Sequence, residues 1–159
     1  MRHWYLLSTK PKKEFRVEKI LREASFEVYL PKHTEKTTLR PFFPGYEFIL
    51  FDYPRDYNLV KYTRGVKTVV GNKAGPIPLP DQVIDEIRSR EVDGLVVVLP
   101  EVETPCEGDD IEVTAGPLKG LRGIFKQELS GRERVLILLN YVSYQGRLLI
   151  ERNKVRKVG

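Results

Sequence analysis

The chain has 159 residues, of which 41% are hydrophobic and 31% charged, with one cysteine and a net charge of +5 at pH 7. That length and composition fit one medium domain or two small ones of ordinary soluble character. The single Cys106 excludes an internal disulfide, no apolar run approaches the ~18 residues of a membrane span, and the apolar N-terminal stretch is too short for a signal peptide, so a cytoplasmic monomer without membrane contact is expected.

Charge is unevenly spread. Residues 1–90 carry 17 basic and 11 acidic side chains, residues 91–109 carry six acidic and no basic ones, and residues 110–159 carry 10 basic and five acidic. Two basic modules thus flank an acidic connector, a balance that favours polyanionic partners through counterion release. The boundaries expected on this basis are 1–90, a linker at 91–106, and 107–159.

In chain order, Trp4–Ser8 reads as a buried strand. Lys10-Pro-Lys-Lys13 then opens a helix whose apolar stripe holds Phe15, Val17, Ile20, Leu21 and Ala24, with Lys12, Lys13, Arg16, Lys19 and Arg22 on its other faces. Phe26–Leu30 returns as a strand, and 32–40 forms a polar hairpin. Pro41-Phe-Phe-Pro-Gly45 leads into a strand at Tyr46–Phe51 with Tyr46, Phe48 and Leu50 on one face. A short helix at Tyr53–Thr63, a strand at Val66–Val70 and a helix opened by Pro80-Asp follow. This order predicts an antiparallel-rich α/β sandwich of the ferredoxin-like type. In the connector, Leu95–Leu99 either pairs as a strand or lies buried at a domain face. Short strands expected near 110–113, 121–127, 135–142 and 146–151 predict a small five-stranded barrel, so the fold class is α+β in two units.

Catalysis finds no support. His3, His33 and Cys106 lie in different elements without metal-ligand spacing, and the Gly-rich stretches at 71–75 and 116–123 lack the Lys-Ser/Thr of a phosphate loop. Asp109-Asp110 reads as turn chemistry. No enzyme and no cofactor are expected.

The stretch Glu107-Gly-Asp-Asp-Ile-Glu-Val-Thr-Ala-Gly-Pro-Leu-Lys-Gly-Leu-Arg-Gly123 resembles the KOW motif of small barrels that touch RNA, ribosomal proteins or transcription factors, with Gly116 and Pro117 at the turn positions. Together with Trp4-Tyr5, Phe42-Phe-Pro-Gly-Tyr46 and Thr63-Arg-Gly-Val66, the whole chain resembles the NusG family of transcription elongation factors. The resemblance implies an N-terminal domain that docks on the clamp helices of the largest RNA polymerase subunit and reaches the opposite pincer, suppressing pausing without covalent chemistry. Tyr46, Phe48, Phe42 and Phe43 are the docking candidates; the competing reading is that some of them fill the core.

Within the family, the brief hairpin, Thr63-Arg-Gly-Val66 and Leu138-Leu-Asn140 point to the specialised antitermination branch typified by RfaH, as does Tyr141–Arg147 in place of the housekeeping Phe-Gly-Arg-x-Thr-Pro turn. That branch reads a non-template DNA strand through basic residues, which assigns the role to Lys10, Lys13, Arg16 and Arg64; a solvated helix face is the alternative. The barrel is expected to recruit a small-subunit ribosomal protein, or Rho in housekeeping members, through Ile124, Phe125 or Leu138, which would equally suit a barrel core.

Some specialised members fold the C-terminal segment as a helical hairpin over the docking face. Val135, Leu138, Leu139 and Val142 have the helical spacing this needs, whereas Gly116, Gly120 and Gly123 oppose it. The interdomain acid of that branch falls on Arg40, which would repel the candidate partner Arg134. Alternatives to the specialised factor are a housekeeping NusG or a standalone RNA-binding KOW protein.

Overall fold

Alternation along β1 (Arg2–Thr9) sends Trp4 and Leu6 to one side of a sheet and Tyr5 and Leu7 to the other, and all four are buried. The two faces of the sheet are therefore both covered, by different means. A computed structural model describes residues 1–100 and 118–158 of the chain.

The sheet has the order β2-β5-β1-β6, with β2 at Glu27–Tyr29, β5 at Tyr46–Asp52 and β6 at Val66–Val69, and every pairing is antiparallel. Its first face, carrying Tyr5, Leu7, Val28, Ile49 and Phe51, packs against Val17 and Leu21 of α1 (Glu14–Glu23) and Val60 of α2 (Tyr57–Lys61). Helix α1 begins only at Glu14 because Lys10-Pro-Lys-Lys13 closes a turn, with Lys12 at φ +62°. The second face carries Trp4, Leu6, Tyr29 and Phe48 and meets Val83, Ile84 and Ile87 of α3 (Asp81–Arg88).

Three two-stranded hairpins decorate this unit: β3 (Lys32–Glu35) with β4 (Thr38–Pro41), β7 (Gly71–Asn72) with β8 (Gly75–Pro76), and β9 (Glu91–Val92) with β10 (Leu95–Val96). The last turns through Asp93 and Gly94, both at positive φ, as a two-residue hairpin turn requires. The connector's apolar run meets both expectations for it: Leu95–Val96 pairs as a strand, and Val96 is buried in the core.

The C-terminal segment departs from the expected barrel. Residues predicted as strands at 121–127, 135–142 and 146–151 form α4 (Leu118–Gly123), a 3-10 turn (Ile124–Lys126) and the long α5 (Gly131–Val158). The expected strand at 110–113 and the motif glycine Gly116 lie outside the described residues. The physical reason is burial: Leu121, Ile124, Phe125, Leu138, Tyr141 and Val142 reach the second face of the sheet together only at helical spacing. A capping box starts α5: the Glu133 N–H donates to Ser130 Oγ (3.2 Å), and the Ser130 N–H donates to Glu133 Oε1 (3.1 Å). None of the helices among the described residues is long and apolar enough to cross a membrane.

Glu47 is the outlier of the core. It lies on the α1 side of β5, fully buried, with neither carboxylate oxygen hydrogen-bonded. Burial, reinforced by the nearby charges of Glu18 and Glu14, pushes its carboxyl up to about 9, so it is neutral at physiological pH. A carboxyl protonated in the folded state but ionised in the unfolded chain contributes stability that is complete below about 4.5 and is lost as pH rises through about 9. Urea titrations across that window are expected to show wild type losing stability with rising pH relative to Glu47→Gln. Parallel pH profiles for the two proteins would contradict a neutral, buried Glu47.

Candidate functional site

The aromatic residues before and within β5 form one continuous cluster. The Phe42 and Phe43 rings meet edge-on at 5.0 Å, Phe43 meets Phe48 edge-on at 6.3 Å, and Phe48 stacks with Tyr29 at 6.2 Å. Phe42, Phe43 and Phe48 are fully buried, and Tyr46 is half-buried. What covers them is largely the C-terminal segment: the Phe125 ring lies parallel to Phe42 at 5.8 Å, with Leu121, Ile124, Leu138 and Tyr141 in the same cluster. Burial raises the Tyr141 hydroxyl to about 12.

Ile124, Phe125 and Leu138, expected on a barrel's recruiting surface, are therefore buried against the first unit, and no strand edge presents them. The docking candidates and the recruiting candidates occupy each other.

Two glycines of α5 mark its closest approaches. A Cβ on Gly131 would lie 2.7 Å from Pro44 Cγ, and one on Gly146 would lie 2.8 Å from Ile77 Cδ1. Polar contacts ring the apolar centre. The Leu99 N–H donates to the Phe125 carbonyl (3.0 Å), Arg122 pairs with Glu86 at 3.6 Å, and the Arg90 guanidinium lies 5.2 Å from the Phe125 ring centre.

Arg134 is the deepest of these contacts, only 5% exposed. Its Nε–H donates to the Phe42 carbonyl (2.7 Å), one terminal nitrogen donates to the Leu129 carbonyl, and the guanidinium lies 4.4 Å from the Phe42 ring centre. Its other terminal nitrogen is 3.4 Å from His33 Nε2. Burial first, then the Arg134 charge, holds the His33 imidazole below its ordinary value, so the neutral ring faces the arginine. The feared repulsion with Arg40 is relieved because Arg40 pairs with Glu35 (3.1 Å), and Arg134 bonds carbonyls instead of a carboxylate.

On the first unit's outer surface, Lys10, Lys13, Arg16 and Arg64 are all exposed. The Lys10 N–H donates to the Gly65 carbonyl (2.8 Å), and a Cβ on Gly65 would lie 3.5 Å from Lys13 Cβ. The fold thus brings the start of α1 beside the Arg64 turn.

Sequence reasoning missed three features. Ser130-x-x-Glu133 was legible as a capping box, and Asp93-Gly94 as a hairpin turn. Buried Glu47 left no sequence signal, because alternation along β5 places an acid at a core position without a pairing residue nearby in sequence.

The family model described as "Transcription termination factor nusG" matches residues 2–88. The chain belongs to the NusG family. A solved structure described as "Domain interaction in Thermotoga maritima NusG" is 20% identical, with a TM-score of 0.48, covering 69% of this chain and 70% of that one. NusG-family proteins are non-enzymatic transcription factors that bind RNA polymerase.

In this member Arg134 is the deepest polar contact of the C-terminal segment, and its charged hydrogen bonds are each worth about 1.5–3 kcal/mol. Arg134→Ala is expected to speed amide exchange along residues 135–150 by roughly tenfold to a hundredfold, and Lys at 134 to restore little of it, lacking the planar fork. Unchanged exchange would mean that Arg134 does not hold α5.

Proposed function

We propose that this chain is a specialised elongation and antitermination factor of the kind typified by RfaH, held inactive by its own C-terminal segment. The observation that carries the reading is the seating of Phe125, Leu138 and Tyr141 on Phe42, Phe43 and Phe48. The face that the family resemblance assigns to polymerase is the face that α4 and α5 bury.

In the open state, residues 1–90 dock on the polymerase clamp helices through Tyr46, Phe48, Phe42 and Phe43 and reach across to the opposite pincer. Lys10, Lys13, Arg16 and Arg64, grouped at the start of α1 and the Gly65 turn, contact the non-template strand. The linker expected at 91–106 acts as the tether, with its β9–β10 hairpin staying on the first unit. The released 107–159 unit folds as the KOW barrel that its turn residues suit and offers Ile124, Phe125 or Leu138 to a ribosomal small-subunit protein. Closure weakens polymerase binding by the fraction of open molecules; if about one in a hundred is open, affinity falls about a hundredfold.

Gly146→Leu forces a large side chain against Ile77 and releases α5 without touching the docking aromatics. This variant is expected to bind RNA polymerase at least roughly tenfold more tightly than wild type, and adding Tyr46→Asp to it is expected to abolish the gain. Equal affinity of wild type and Gly146→Leu, measured with purified polymerase, would contradict autoinhibition.

A further inference from the structure

A groove of about 940 Å³ runs between the end of β1, the β3–β4 hairpin and the start of α5. It is lined by cations from both parts of the chain: Lys12, Arg40 and Lys67 from the first unit, Arg132 and Arg134 from α5. Its two acids are already engaged, Glu14 by the Gly45 N–H (2.9 Å) and Glu35 by Arg40. Among the described residues no carboxylate lies within ion-pair distance of Lys12, Lys67, Arg132 or Arg134.

Two buried groups at the groove wall remain incompletely satisfied. Arg134 engages three of its five N–H donors, on Phe42, Leu129 and His33, and makes no direct ion pair; Glu35, the acid whose charge reaches it, is paired with Arg40. Thr9 is 5% exposed and lines the same groove, and its Oγ1 has no hydrogen-bond partner. Buried charges are ordinarily paired, and a concave wall of one sign focuses its potential into the space it encloses. The docking of α5 makes this worse, because it brings two arginines up to Arg40 and Lys67.

We propose that this groove binds a phosphate-bearing anion and that the bound anion strengthens the docking of α5. Guanidinium donors and dispersed ammonium groups suit phosphate oxygens, and the volume accommodates a nucleotide or a short stretch of single strand. Two of the five cations belong to α5, so the anion prefers the closed arrangement to the open one, and closure in turn raises its affinity. The cations concerned are distinct from Lys10, Lys13, Arg16 and Arg64. The inference rests on the closed arrangement described under Proposed function.

The test is a titration of the full-length protein, followed by amide shifts, with pyrophosphate in one arm and a short single-stranded DNA oligonucleotide in the other. Pyrophosphate is expected to shift the amides of Thr9, Gly45, Lys67 and residues 131–134. Lys67→Glu with Arg132→Glu, both exposed sites, is expected to weaken pyrophosphate roughly tenfold or more, and Gly146→Leu to do the same by releasing α5, whereas Lys10→Glu leaves it unchanged. Competition by the oligonucleotide for the same amides identifies a nucleic-acid backbone as the source; oligonucleotide shifts confined to Lys10, Lys13, Arg16 and Arg64 identify a free phosphate compound. If α5 is helical in the same spectra and pyrophosphate leaves these amides unmoved, or the double variant binds as wild type does, the anion site is wrong while autoinhibition stands. If α5 is not helical in the intact chain, both fall together.

Discussion

The second face of the sheet has to be covered, and the rest of the structure follows from how that is done. Trp4, Leu6, Tyr29 and Phe48, with Phe42 and Phe43 beside them, form an aromatic surface too wide for α3 alone. Left in water it would be an apolar patch of the kind that marks interaction sites. Here Leu121, Ile124, Phe125, Leu138, Tyr141 and Val142 cover it, delivered by the helical spacing of α4, the 3-10 turn and α5. The fold of the C-terminal segment is therefore dictated by its neighbour. Taken alone, α5 is a poor amphipathic helix, since Leu136, Tyr144 and Ile150 remain exposed and Gly146 lies within it. Gly120 and Gly123 each cost α4 about 1 kcal/mol relative to alanine. Burial against the aromatic face offsets these local preferences.

The chemistry of the contact suits a reversible closure. Its centre is apolar and its rim is made of modest interactions: a backbone hydrogen bond from Leu99, one ion pair from Arg122 to Glu86, and a cation over a ring at Arg90. Arg134 bonds backbone carbonyls, which cannot be protonated away and whose buried contacts are little screened by salt. His33 faces the guanidinium, where a second positive charge would stand against Arg134 and near Arg40, while the Glu35 charge acts on both. Two close glycine contacts, at Pro44 and Ile77, let α5 lie near the first unit at both ends of its docked length.

Much of this architecture was legible beforehand. Period-two alternation at Trp4–Ser8 and Tyr46–Phe51 placed the two central strands, and Pro80 marked the start of α3. The aromatic segment Phe42–Phe48 stood out as either a docking candidate or core filling, and whether it faced solvent or lay covered depended on the distant residues that pack on it. The C-terminal segment was misread as a barrel in this arrangement because its apolar residues satisfy two periodicities at once, and local pattern cannot choose between them. The choice is made by tertiary contact, and so is the role of Arg134, two of whose partners, Phe42 and His33, lie far away in sequence. Glu47 was illegible for the same reason: its neutrality follows first from its burial beneath α1 and then from the charges of Glu18 and Glu14 on that helix.

The most direct test of the account is the set of backbone carbon chemical shifts across residues 118–151, compared between the intact chain and the same chain cleaved within the connector and separated. Helical shifts in the intact chain that disappear on separation are the predicted result, because the aromatic face imposes the helix. Strand shifts in the intact chain, or helical shifts that persist after separation, would contradict the claim that the first unit dictates the fold of the second.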